Sequence, residues 1–321
     1  MKLVGLVLGL LLLLLVASEV LLRLIFGFGT PPLYVADAEV GYRLAPHQRL
    51  RRFGNRIEIN EYSMRGPVIS PERSPQTFRV LLIGDSIANG GWWTDQPHIL
   101  SLKMQTQLQT QLPAAVATFN TIEVLNASAN SWGPRNELAY LDKFGTFEAQ
   151  VVVVLINTDD LFATAPTALP VGRTRNYPDR APALAWMEVL SRFRQDPPFP
   201  ELEAVQAEGG DRVGHNLTAI QQIQQRVTGA DGQLILAMTP LLREVEPPGP
   251  RDYEQVARQR LQAFAAQHTI TYIDFLDPFQ SHNEGSRLYR DHIHLSSEGN
   301  DLVSTTLTQT LSPLIKATAQ E

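Results

Sequence analysis

The chain opens on an unbroken apolar run over residues 3–17, preceded by Met1 and Lys2 and continued by Val20, Leu21, Leu22, Leu24, Ile25 and Phe26. As a helix rising about 1.5 Å per residue, residues 3–22 would extend about 30 Å, the thickness of a hydrocarbon core. Glu19 and Arg23 lie one turn apart near its far end. Two readings fit: a spanning helix, and a cleaved signal peptide with its small-residue cleavage site at Val16-Ala17-Ser18. A buried core helix would carry a polar face, which this run lacks. Lys2 and the free amino group favour a cytoplasmic amino terminus, so a retained helix carries everything after Phe28 across the membrane. Export follows from both readings.

After Gly27, Gly29, Pro31 and Pro32 come two short alternating stretches, 40–44 and 56–60, among turn-forming residues. Residues 30–75 therefore read as a membrane-proximal β-rich extension. Beyond them, apolar runs recur at 80–83, 122–125, 151–156, 234–237 and 270–273. Continuous apolar runs of this length suit strands buried on both faces. Helical spacing lies between them, as in Leu100, Met104, Leu108 and Leu112, which stops at Pro113. Strand alternating with helix predicts a parallel sheet covered on both faces, a three-layer α/β/α sandwich. Residues 162–215 break the rhythm with Asp196-Pro197-Pro198-Phe199-Pro200, the Gly209-Gly210 pair and one helical candidate, 184–193. They read as an insertion, either a surface excursion or a lid over the site.

Composition narrows the function. Apolar residues form 44% of the 321 and charged ones 19%, which suits a folded chain with a large core. A formal charge of −6 gives no broad electrostatic footprint for a phosphate backbone, so nucleic acid is excluded as a partner. With no cysteine there is no disulfide, thiolate nucleophile or Cys-based metal site. The Asn-x-Ser/Thr triplets at Asn126 and Asn216 are short enough to arise by chance.

In open parallel sheets the reactive groups sit beyond the carboxyl ends of the strands. The run 80–83 leads straight into Gly84-Asp85-Ser86, so Ser86 leaves the sheet at that edge beside amides that could face a developing anion. Capping of a helix by Asp85 or Ser86 is the bland alternative. A serine hydroxyl needs a base, and Asp291-His292-Ile293-His294 near the carboxyl end supplies one. Neutral His294 can take the Ser86 proton while Asp291, three residues earlier, fixes the imidazole tautomer. His292 is the competing base, but an adjacent residue folds back on the same carboxylate with difficulty. Asp291, His292 and His294 lack the further ligands a metal centre would need, so no metal or other cofactor is expected.

These blocks resemble the SGNH or GDSL hydrolases, which join a Gly-Asp-Ser block to a late Asp-x-x-His block; the resemblance spans residues 76–316. It implies a flavodoxin-like fold, Ser86 as nucleophile, His294 as general base and acid, and Asp291 as its orienting partner. Asn60-Glu61-Tyr62-Ser63-Met64-Arg65-Gly66 is similar to the Asn-x-x-Gly-x-Arg-Gly lead-in of membrane-attached or exported members, with Ser63 at the usual glycine. The family's second block places a glycine amide toward the oxyanion; here Ser131 holds that position, with Gly133 as the fallback. Any non-proline residue supplies such an amide. In the third block, Asn157-Thr158-Asp159-Asp160 puts Asp159 where the family has its donor asparagine. An ionised Asp cannot donate, and two negative charges 4 Å apart at an effective dielectric near 20 repel by about 4 kcal/mol, roughly a thousandfold in rate. Three escapes are open: a protonated Asp159, a neighbouring amide such as Asn157 or Asn130, or loss of catalysis. Asn157 is favoured, because two residues along an extended chain share a face.

The resemblance implies a serine esterase removing O-acyl groups from carbohydrate or another cell-envelope substrate. Its partners would be a small-molecule or glycan acyl ester and, through residues 1–29, the membrane. An O-acyltransferase with the same triad and a membrane-attached binding protein on a decayed scaffold are the alternatives. Trp92, Trp93 and Trp132 follow the candidate blocks and could form an aromatic wall or simply pack in the core.

Overall fold

The computed structural model describes residues 2–111, 119–195, 197 and 199–319. Leu112 and Pro113, expected to end a helix, and Asp196 and Pro198 of the proline-rich stretch lie outside the described residues. The first helix, α1 (Lys2–Leu21), continues into a π-helical turn, Leu22–Phe26. None of the α1 side chains is buried, and by length and composition this helix could cross a membrane.

Two antiparallel hairpins follow: β1 (Tyr34–Asp37) with β2 (Gly41–Leu44), and β3 (Gln48–Arg52) with β4 (Asn55–Ile59). The alternating pattern marks β2 and β4; β1 (Tyr34-Val35-Ala36-Asp37) and β3 (Gln48-Arg49-Leu50-Arg51-Arg52) lack that alternation. Tyr34, Tyr42, Leu44, Ile57 and Ile59 pack into the same core as the main sheet, so this β-rich segment has no separate core of its own.

The main body interleaves β5 (Thr77–Gly84), α2 (Ser86–Asn89), α3 (Leu100–Gln111), β6 (Thr121–Ser128), α4 (Pro134–Phe144) and β7 (Val151–Asn157). Then come α5 (Ala185–Ser191), α6 (Pro200–Gln206), α7 (Arg212–Gly229), β8 (Gln233–Thr239), α8 (Leu242–Val245) and α9 (Asp252–Gln267). The chain closes with β9 (Thr271–Asp274), α10 (Leu276–Gln280) and α11 (Ser297–Thr318). Each of the five apolar runs forms a strand, and all pair in parallel in the order β6-β5-β7-β8-β9. β5 is buried along its whole length.

Successive side chains of a strand face opposite sides, and the two cores divide accordingly. Leu81, Ile83, Val152 and Val154 pack with Tyr140 of α4 and Ile220 and Ile223 of α7. Val80, Leu82, Val153 and Leu155 pack with Met104 of α3 and Leu307 and Leu311 of α11. The result is the three-layer α/β/α sandwich expected from the alternation. Helix α5 occupies most of the stretch expected to be helical at 184–193. Asn126 and Asn216 are both buried, Asn126 donating to the Ala88 carbonyl at 2.7 Å, so neither is an available glycosylation acceptor.

Candidate active site

β5 ends at Gly84, where a side chain would strike the Leu155 carbonyl oxygen at 2.3 Å; only glycine lets two central strands run this close. Asp85 then caps α2, its carboxylate accepting the Ile87 N–H at 2.8 Å. Ser86 is the first residue of that helix, so its own N–H has no partner within the helix. Asp85 thus caps the helix, while Ser86, itself buried, sits just past the strand end and lines a cavity there.

The carboxyl-terminal block returns to the same edge. His294 Nε2 lies 3.0 Å from Ser86 Oγ, and His294 Nδ1 lies 2.8 Å from Asp291 Oδ2. Asp291 also accepts the backbone N–H groups of His294 and Ile293, at 2.9 and 3.0 Å. Burial works against ionisation of Asp291, but these bonds outweigh it and hold its carboxyl below the usual range. His292 points outward, 84% exposed and 3.9 Å from Asp291 at its nearest, so geometry selects His294. Trp93 packs edge-on against the His294 ring, with centroids 4.5 Å apart, and Arg290 lies over both Trp92 and Trp93.

A cavity of about 360 Å³ opens beside this chain of groups. Ser86, Asn89, Asn130, Ser131 and His294 line it, with Trp92 and Trp93 on its wall. Ser131 adopts a left-handed backbone (φ 56°), the region that favours the glycine usual at this position. Its hydroxyl accepts a hydrogen bond from Tyr177 at 3.0 Å. Residues 175–178, Glu188 and Arg192 of the 162–215 segment also reach the cavity. Trp132 has a different place: it is buried in the core and donates to the Tyr42 carbonyl at 2.9 Å.

Of the residues considered for the oxyanion, Gly133 and Asn157 are committed to other partners and Asp159 stands off the cavity, which corrects the sequence expectation. The Gly133 N–H caps its own helix, donating to Asn136 Oδ1 at 3.1 Å. Asn157 is 1% exposed, and its amide nitrogen donates to Asp85 Oδ2 at 2.9 Å and to Asp160 Oδ2 at 2.8 Å. An amide has only two such hydrogens. Its oxygen accepts the Asp159 N–H at 2.7 Å, so the side chain is fully used in holding the ends of β5 and β7 together. Asp159 does not line the cavity; its side chain is 60% exposed and stands 4.0 Å from Arg243. Asp159 therefore does not stand at the cavity wall, where the sequence expectation set it against an oxyanion. The extended chain turns into a 3-10 helix, Thr158–Phe162, at this point, which breaks the alternation that placed Asn157 and Asp159 on one face.

Beneath Ser86 lies an acidic cluster that motif matching passed over. Burial pushes the Asp85 carboxyl up, and pushes Asp160 well above the usual range with help from the Asp85 charge. Glu137 of α4 is fully buried with neither oxygen hydrogen-bonded; burial and the Asp85 charge raise it too. Sequence reasoning also missed the work of Arg65 in the lead-in. Asn60 Oδ1 folds the turn by accepting the Tyr62 and Met64 N–H groups. Arg65, 1% exposed, then donates to the carbonyls of Asn89, Gly91 and Thr94, bracing the loop that carries both tryptophans.

Residues 82–302 match the model of the GDSL-like lipase/acylhydrolase family. The chain belongs to this family. It is thus a hydrolase acting on ester bonds, built on the SGNH fold. Among solved structures it is similar to an acetyl xylan esterase, at 14% identity and a TM-score of 0.49 over 73% of this chain and 100% of that one. A lipase/acylhydrolase from Enterococcus faecalis aligns at 14% identity and TM-score 0.46, over 74% and 96%. A catalytic mutant of an acetylxylan esterase from Geobacillus stearothermophilus aligns at 12% and 0.47, over 72% and 93%. Comparison with curated proteins gives no match.

Proposed function

We propose that this hydrolase is a serine esterase that removes O-acyl groups from carbohydrate or another cell-envelope substrate outside the cytoplasm. The observation that carries the reading is the continuous chain from Asp291 through His294 to Ser86, with both links at 3.0 Å or less. His294 Nε2 takes the Ser86 proton as Oγ bonds to the acyl carbon. The resulting oxyanion is met by the N–H groups of Ser86 and Ser131 and by the Asn130 side-chain amide, which lines the cavity. Collapse breaks the ester bond, and His294 gives its proton to the departing alkoxide. Water, deprotonated by His294, then attacks the acyl-Ser86 carbonyl and frees the acid. Asp291 stabilises the imidazolium formed in each half of the cycle.

Trp92 and Trp93 beside Ser86 support a sugar acceptor, since flat aromatic faces pack on sugar rings. The apolar α1 helix supports a single-pass anchor with the catalytic domain on the extracytoplasmic side. A fluorophosphonate probe tests the nucleophile: the full chain labels at Ser86, and Ser86→Ala and His294→Ala each abolish labelling. A folded protein that does not label overturns the proposal. Product analysis with a panel of acylated sugars then identifies the substrate and distinguishes acid release from transfer to a sugar hydroxyl.

A further inference from the structure

Helix α5 presents an apolar patch to solvent. Met187 and Leu190, one turn apart, are 53% and 57% exposed; Leu184 and Phe193 at the helix ends are 51% and 84% exposed. The inward side of the same helix is polar and committed. Glu188 bonds Arg52 and accepts the Gly29 N–H at 2.7 Å, and Glu188 and Arg192 both line the Ser86 cavity.

The occupant of the patch follows from what holds α5 in place. Glu19 accepts the Ala185 and Trp186 N–H groups at 2.8 and 3.2 Å. The Trp186 indole donates to Ser18 Oγ at 3.0 Å, and Arg23 donates to the Ala183 carbonyl at 2.8 Å. All three anchoring residues lie at the far end of the apolar helix, about 25–30 Å along it from Lys2, where a hydrocarbon core would give way to headgroups. The Leu22–Phe26 turn packs on α5 and is itself exposed at Leu24 and Ile25. Trp186 is thus an indole at the depth where tryptophan is enriched. Arg192 and Arg194 flank Phe193, and Arg194 pairs with no carboxylate among the described residues, leaving a cation at headgroup level.

We propose that Leu184, Met187, Leu190 and Phe193 form a second membrane-contact site, which lies in the lipid interface and holds at the bilayer surface the helix whose other side lines the Ser86 cavity. The proposal rests on the retained apolar helix put forward above. It goes beyond that anchor: one helix alone would leave the domain free to tilt, whereas two contacts fix which face meets the lipid. An interfacial helix of this kind sinks its apolar side about 5–10 Å into the headgroup boundary.

The absence of native cysteine allows a direct test. The full chain carrying Leu12→Cys, Leu190→Cys, Phe193→Cys or Val256→Cys, one at a time, is labelled with bimane and reconstituted in phosphatidylcholine–phosphatidylglycerol vesicles containing doxyl lipid. Val256 is 54% exposed on α9 and serves as the comparison. Expected is loss of most fluorescence at 12, 190 and 193, with little loss at 256. Quenching at 12 but not at 190 and 193, where aqueous iodide quenches instead, overturns the second contact while leaving the anchor. Loss of residue 12 from the mature chain overturns both. None of these readouts depends on esterase activity.

Discussion

Ser86 and His294 are separated by 208 positions in the chain and by 3.0 Å in space, Oγ to Nε2. The two meet because β5 delivers the serine to the carboxyl edge of the sheet, while the turn before α11 brings the imidazole to the same edge. Asp291 completes the arrangement from within that turn.

Asp291→Asn is expected to keep the fold but favour the wrong imidazole tautomer. The turnover number should fall by as much as about 10⁴-fold with KM little changed, since the carboxylate acts on the imidazole and not on the substrate. Steady-state kinetics on an acylated sugar, with melting temperature as the fold control, checks this. A loss below tenfold would show that the carboxylate is dispensable.

Asn130 and Asn157 should separate by phenotype. Asn130→Ala removes an amide from the cavity wall and is expected to lower the turnover number by about 10²–10³-fold at unchanged melting temperature. Asn157→Ala instead strips the donor from buried Asp85 Oδ2, at about 1–3 kcal/mol, while Asp160 Oδ2 keeps the backbone N–H of residue 157. Its melting temperature should drop along with its activity. Thermal unfolding and kinetics of both variants, measured side by side, decide the assignment.

Glu137→Gln should stabilise the protein above the ordinary carboxylate range. Glu137 is raised in the folded state, so the folded chain keeps a proton that the unfolded chain releases. Its contribution is fully present below the unfolded pKa and is lost as pH rises through the folded value. The variant's melting temperature should exceed the parent's at pH 8, by about 2–4 °C for each kcal/mol removed, and match it near pH 4. A constant difference across that range would mean that Glu137 does not titrate with folding.

Arg65→Ala should affect a loop that lies after Ser86 rather than beside Arg65 in sequence. Loss of the guanidinium leaves the Asn89, Gly91 and Thr94 carbonyls without their donor, again at about 1–3 kcal/mol for each group that stays buried. Arg65→Lys should recover little, because one ammonium cannot span the fork's three acceptors. Hydrogen exchange across residues 89–96 reads the loosening directly, and unchanged protection there would refute the bracing role.

The sheet was legible because strands buried on both faces leave continuous apolar runs, and their alternation with helical spacing sets the layer order. Ser86, Asp291 and His294 were legible because their chemistry sits in short local blocks. The paths of Asn157 and Asp159 were not, since the chain leaves the extended conformation between them and the face rule lapses. The sequence by itself determined which residue types stand at the strand ends and that the first helix is apolar enough for a membrane. Only the tertiary structure decided which amides remain free to face the cavity, that Arg65 props the tryptophan loop, and that the end of the apolar first helix grips α5. Those outcomes depend on hydrogen-bond partners tens to hundreds of residues apart, whose pairing is settled by packing and not by any local pattern.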